Sequence, residues 1–142
     1  MGSVPEHFYS QSGVIPLRRR EGKAEVLLVT SRKGKRWVIP KGVIDKGSSP
    51  AESAAREAWE EAGIRGTLSK RESGRYRYEK WGGTCTVRVF LLAVEEEADQ
   101  WPESGTRRRE WLGIEEAAAR IDEEGLRLLI RAAGGSQEGE GS

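Results

Sequence analysis

Apolar residues along the chain fall into short bunches separated by charged and turn-forming stretches. Residues 25–30 read EVLLVT, a β-branched-rich run of the kind that forms a buried strand. Residues 84–94 carry Val87, Val89, Phe90, Leu91, Leu92 and Val94 and are the strongest strand candidate. Shorter strands are expected at 13–17, at 37–39, where Pro40 ends the run, and at 110–112. Residues 75–78 alternate as an edge strand does, with Trp81-Gly82-Gly83 as the turn beyond it. Helices are expected at 50–62, 114–121 and 123–133, the last with Leu126, Leu129 and Ile130 on one stripe. Strands enclosed by a few helices, without regular βαβ alternation, predict an α+β fold or an α/β/α sandwich. No repeat or linker divides the chain, so residues 13–133 are expected to form one domain. Residues 1–12 read as a flexible lead-in. Residues 134–142 contain Gly, Ser, Gln and Glu alone, bury no apolar surface, and are expected to be disordered.

The helix at 50–62 has the best-defined ends. Ser49 at the N-cap, Pro50 at the first helical position and Glu52 at the third compose a capping box, and Gly63 supplies the stop. At about 100° per residue, Glu57, Glu60 and Glu61 fall within about 100° of one another. Ala51, Ala54, Ala55, Ala58 and Ala62 occupy the neighbouring sector, so one face packs closely while another gathers carboxylates. Like charges three and four residues apart repel. The cluster is either a solvated acidic face or a seat for a cation, and hard cations such as magnesium take oxygen ligands of this kind.

Charge separates these readings only locally. The chain has 24 Lys and Arg against 23 Asp and Glu, a net +1 that provides no global field for nucleic acid or acidic membrane surfaces. Just before the helix, however, Arg32-Lys33-Gly34-Lys35-Arg36 and Pro40-Lys41-Gly42 put cations and glycines beside the acidic face. A basic loop next to a carboxylate cluster suits a polyphosphate bound with a divalent metal. The single cysteine, Cys85, excludes an intramolecular disulfide framework. The single histidine, His7, leaves little basis for a Ser-His-Asp triad or a His/Cys zinc site. No apolar run has bilayer length and no charged-then-apolar signal segment opens the chain, so a cytoplasmic location is expected.

The segment 40–64, PKGVIDKGSSPAESAAREAWEEAGI, resembles the Nudix box: Gly, five residues, Glu, seven residues, then Arg-Glu-apolar-any-Glu-Glu-any-Gly-apolar. Gly42 takes the first position, and Arg56, Glu57, Ala58, Glu60, Glu61, Gly63 and Ile64 take the terminal block. The resemblance implies a Nudix α/β/α sandwich with a mixed sheet. It implies Glu57 and Glu61 as principal magnesium ligands and Glu60 as ligand or base. It also implies the Gly42 carbonyl near a metal, and Arg56 as an ion-pair partner orienting the glutamates. Ser48 stands where the family carries its first glutamate; Asp45, three residues earlier, is the nearest carboxylate that could stand in. Trp37 to Gly42, Trp101-Pro102-Glu103 and Arg107 to Leu112 are similar to the subgroup acting on diphosphoinositol and diadenosine polyphosphates.

The expected chemistry is hydrolysis of a phosphoanhydride bond in a small polyphosphorylated metabolite, with Mg2+, or Mn2+ in its place, as cofactor. Glu57, Glu60 and Glu61 are the catalytic candidates, and the same three with Gly42 are the metal candidates. Lys41, Arg32, Lys35, Arg107 and Arg109 are the phosphate-binding candidates. Trp37 and Trp81 are candidates for stacking a base. Two alternatives stay open: a catalytically weakened binding module, suggested by Ser48, and an RNA-end pyrophosphohydrolase, suggested by Arg18-Arg19-Arg20 and Arg107-Arg108-Arg109. The near-neutral total charge disfavours a large nucleic-acid footprint.

Overall fold

A computed structural model describes the backbone of residues 4–140 and the side chains of residues 4–135. After a short 3-10 turn (Glu6–Tyr9), β1 (Ser10–Arg20) and β2 (Lys23–Thr30) form a hairpin, followed by β3 (Trp37–Val38) and β4 (Lys41–Val43). Helix α1 (Pro50–Ala62) leads into β5 (Ile64–Leu68), β6 (Gly74–Lys80) and β7 (Gly83–Glu97). The chain then runs through β8 (Arg109–Gly113), α2 (Ile114–Arg120) and α3 (Glu124–Glu140).

The strands make one mixed sheet with the path β3-β2-β1-β7-β5; β4 joins β1, β6 joins β7 and β8 joins β2. β1 and β7 run parallel, with Val14 opposite Phe90 and Ile15 opposite Leu91, and the other pairings are antiparallel. Pro16 falls between the residues of β1 that pair with β4 (Gln11 to Gly13) and those that pair with β2 (Leu17 to Arg20). A residue without an N–H is tolerated in that gap.

Strand alternation divides the core into two layers. Val14, Leu27, Val29, Phe90 and Leu92 point to the α1 side, where they meet Ala54, Ala58 and Ala62. Ile15, Leu17, Val26, Leu28, Val87 and Val89 point the other way, onto Ala117, Ile121, Leu126 and Ile130 of α2 and α3. This is the expected α/β/α sandwich. The alanine stripe places α1 close to the sheet, while the bulkier residues of α2 and α3 fill the opposite layer. Both tight hairpins use two residues with positive φ, Glu21-Gly22 (53° and 79°) and Trp81-Gly82 (56° and 72°).

Several boundaries differ from the sequence expectation. β1 starts at Ser10, since Gln11 to Gly13 gain partners in β4 that no local pattern reveals. β4 and β5 were not expected, being short and containing glycine. Pairing with β7 creates β5, with an irregularity between Arg65 and Gly66. α3 continues past Ala133 to Glu140; Gly134 is buried close to the Ile114 side chain, where a Cβ would meet Ile114 at 2.6 Å. Residues 1–3 and 141–142 of the expected lead-in and tail lie outside the described residues.

Candidate active site

α1 is built as its ends predict. Ser49 Oγ accepts from the Glu52 N–H (3.0 Å), and Glu52 Oε1 accepts from the Ser49 N–H (2.8 Å). A cap of this type stabilises a helix by about 1 kcal/mol. Ser12 Oγ on β1 donates to the Pro50 carbonyl (2.7 Å), which ties the helix start to the sheet. Gly63 ends the helix in the left-handed region at φ 66°.

On that helix Glu57 and Glu61 are one turn apart, about 40° around the axis, and both face β4. Gly42 of β4 lies directly against Glu57: a Cβ there would collide with the Glu57 carboxylate. Glu61 is buried; its Oε1 accepts from the Lys41 backbone N–H (3.1 Å), and its Oε2 lies 3.3 Å from Arg107 Nη2. Burial nevertheless pushes the Glu61 pKa up to about 8, against the pull of Arg107 and with Glu57 adding to the rise. Burial likewise raises Glu57, whose main opposing contact is Arg56 at 3.1 Å. Burial thus raises both carboxyl groups, Glu61 the more deeply placed of the two.

Glu60 is not brought into this pair. It stands about 60° from Glu57 on the far side from Glu61, and its carboxylate lies 3.8 Å from Arg56 instead. Among the described residues no three His, Cys, Asp or Glu side chains gather closely enough to hold a metal by themselves. The donor set still fits magnesium, which is commonly held by one or two carboxylates together with water and substrate phosphate. The adjacent Glu57 and Glu61 carboxyl groups and the bare Gly42 backbone supply hard oxygen donors.

A cleft of about 440 Å³ opens over these groups. Arg32, Arg36, Lys41 and Lys80 bring positive charge to its lining, with Tyr78 and Trp81 beside them. Lys41 Nζ donates to Tyr78 Oη (3.0 Å), which in turn donates to Gln11 Oε1 (2.8 Å). Burial lowers the Lys41 pKa to about 8, opposed by the nearby Glu61 and assisted by the Lys80 charge. Arg36 belongs to the basic run expected from the sequence, whereas Tyr78, Gln11 and Lys80 escape the sequence reading as cleft residues. The last three lie on other elements. They reach the cleft only through the pairings β1–β4 and β6–β7, which carry no local signal.

Of the other phosphate-binding candidates, Lys35 is exposed in the turn after β2 and does not line the cleft. Arg107 lines it, but its guanidinium is engaged by Glu103 (2.6 Å), the Thr30 carbonyl (2.9 Å) and Glu61. Arg109 points elsewhere: it donates to the Ala62 (2.7 Å) and Ala98 (2.6 Å) carbonyls and stacks on Trp101. Placing Arg109 on phosphate is therefore corrected, because a carbonyl at the end of α1 and another just past β7 claim it. Trp37 also lies outside the cleft, covered by Arg108 and Arg120. Arg18 pairs with Glu25 at 2.8 Å, so several cations behind the RNA-end alternative are engaged within the fold.

The NUDIX domain model matches residues 10–132, most of the chain. The chain belongs to the Nudix hydrolase family. It is 37% identical over 124 residues to Nudix hydrolase 16, mitochondrial, of Arabidopsis thaliana, covering 75% of this chain and 68% of that protein. It is 37% identical over 116 residues to mouse (Mus musculus) diphosphoinositol polyphosphate phosphohydrolase 3-alpha, covering 80% and 69%. Its span is shorter in two further Arabidopsis relatives, Nudix hydrolases 13 and 12, at 53% and 51% of their lengths. Among solved structures, a C. elegans Ap4A hydrolase binary complex superposes with TM-score 0.77 at 27% identity, covering 92% of this chain and 98% of that one.

Within this Nudix domain, Arg56 lies among Asp45, Glu57 and Glu60. Asp45 Oδ2 makes the closest of those contacts, and the Asp45 N–H is held by Ser53 Oγ (3.2 Å). A carboxylate thus meets Arg56 from the loop before α1 even though Ser48 provides none. No helix among the described residues is long and apolar enough to cross a membrane.

Proposed function

We propose that this Nudix chain hydrolyses a phosphoanhydride bond in a small polyphosphorylated metabolite, a dinucleoside polyphosphate or a diphosphoinositol polyphosphate, with Mg2+ or Mn2+ as cofactor. The observation that carries the proposal is the pairing of buried Glu61 with half-buried Glu57 against Gly42, at the base of a cleft rimmed by cations. Bound there, the metal supplies Lewis-acid stabilisation of phosphate charge and a water of lowered pKa. Glu57, Glu61 and the Gly42 carbonyl would hold it. Arg56 fixes the Glu57 carboxylate from outside, and Arg107 with the Lys41 N–H fixes that of Glu61. Lys41, Arg32, Arg36 and Lys80 neutralise the phosphates that do not react.

Water forms the new P–O bond, the bond to the leaving phosphate breaks, and a carboxylate takes the proton. Of the two base candidates, Glu61 lines the cleft and Glu60 does not, which favours Glu61. The relatives named for diphosphoinositol polyphosphate and Ap4A support this substrate range. The test is a panel of diadenosine tetraphosphate, inositol pyrophosphate, nucleoside triphosphate and ADP-ribose, assayed with magnesium and with chelator. Magnesium-dependent cleavage with the longer polyphosphates preferred supports the proposal. Absence of cleavage across the panel refutes it.

A further inference from the structure

Five tryptophans are present, and four have rings covered by arginines of the fold: Trp111 by Arg18, Trp59 by Arg65, Trp101 by Arg109, and Trp37 by Arg108 and Arg120. None of these four lines the cleft. Trp81 does, and its companion is different: Lys80 Nζ lies 4.7 Å from the ring centroid, and Lys80 is itself a cleft residue.

Trp81 also sits where a large side chain is costly. It occupies the first position of the β6–β7 turn at φ 56°, a conformation in which glycine, asparagine or aspartate is usual. The left-handed conformation costs an L-residue about 1–2 kcal/mol. The surroundings hold it there: Tyr9 Oη donates to the Trp81 carbonyl (2.8 Å), and the rings of Phe8 and Tyr9 lie 5.4 and 6.1 Å from its ring. A large aromatic surface is thus kept at the side of a cleft whose floor is acidic and whose rim is basic.

We propose that Trp81 is the base-stacking subsite of this cleft, so that its substrate carries a nucleobase next to the polyphosphate. This rests on the phosphoanhydride reading and selects the nucleotide branch of it. Lys80 occupies the ring when no ligand is present. An arriving polyphosphate draws its ammonium toward the anion, and the base takes its place on the indole. An inositol ring has no π face and gains nothing from this surface, whereas a stacked base gains on every nucleoside irrespective of sequence.

The experiment uses the full chain with magnesium and two variants, Trp81→Gly and Trp81→Phe. Glycine is at home at positive φ, so the hairpin keeps its turn when the ring is removed. AMP and ribose 5-phosphate, neither of which has a phosphoanhydride to cleave, are titrated calorimetrically. AMP is expected to bind wild type more tightly than ribose 5-phosphate, to weaken about tenfold in Trp81→Gly, and to recover most of that in Trp81→Phe. In turnover, Trp81→Gly is expected to raise KM for diadenosine tetraphosphate about tenfold with kcat within about twofold, leaving inositol pyrophosphate unaffected. Equal AMP affinity in wild type and Trp81→Gly, or equal losses for both substrates, overturns the proposal. Failure of the wild type to cleave either substrate refutes the phosphoanhydride reading, while the AMP titration still decides the stacking subsite.

Discussion

At the C-terminal end of α1, the loop from Ala98 to Arg109 answers every open group it meets. The Glu103 N–H bonds the Glu60 carbonyl, Trp101 Nε1 bonds that of Glu61, Arg109 that of Ala62, and the Ala98 N–H that of Gly63. On the flank facing β4, within the last two turns, the same helix presents two carboxyl groups whose burial outweighs their compensation. Charge is abundant at both places, but one is closed within the fold and the other calls for something from outside. A charged run in a sequence therefore marks a binding site only where the fold leaves it uncompensated. Arg109 and Arg36 look alike in sequence; the first is spent on carbonyls, while the second lines the cleft with one longer, partly exposed contact to Glu123 (3.5 Å).

The comparison breaks most sharply at the flank. Glu57→Gln and Glu61→Gln are each expected to cut turnover by at least about a hundredfold, with the fold retained by circular dichroism. Near-normal kcat in both would remove the flank from the chemistry. At the closed end the expected loss is of another kind. Arg109→Ala removes two charge-assisted hydrogen bonds and is expected to cost about 3 kcal/mol in denaturant unfolding, with kcat/KM of the folded protein within about threefold. Arg36→Ala should do the reverse, raising KM several-fold at unchanged stability.

The flank also has a pH signature. The Glu61 pKa is raised from 4.5 to about 8, so the folded state binds more protons than the unfolded state between those values. Without divalent metal, the contribution of Glu61 to stability falls as pH rises across that window. Glu61→Gln should flatten the slope in chelator-treated melts; an unchanged slope would show that burial at Glu61 is not its source. The smallest effect is expected at Ser48. Ser48→Glu should keep or raise activity, since it lies just before the helix start and Asp45 already meets Arg56. A large loss in a folded variant would give that serine a role of its own.

What the sequence reveals and what it conceals follow the same division. α1 is legible because its cap, stop, alanine stripe and glutamate spacing are all local. The two core layers are legible too, since alternation in β1, β2 and β7 sorts Val14 from Ile15 and Leu27 from Leu28. β4 and β5 are not, because each exists through pairing with a strand distant in sequence. The site follows suit. Glu57, Glu61 and Gly42 lie within one motif, but Tyr78 arrives through the register of β6 on β7 and Gln11 through β1. Arg109 misleads because the carbonyl it caps is 47 positions away. Glu60 misleads because helical spacing places it near Glu57 without saying which way Arg56 draws it.

The central claim is that the Glu57–Glu61 pair is the seat of a divalent cation. Its most direct test is a Mn2+ titration followed by electron paramagnetic resonance, without substrate, at fixed ionic strength and about pH 8, for wild type and the double variant Glu57→Gln/Glu61→Gln. Wild type is expected to take up Mn2+ and the double variant to lose at least about tenfold in affinity while remaining folded. Equal uptake by both proteins would contradict the account.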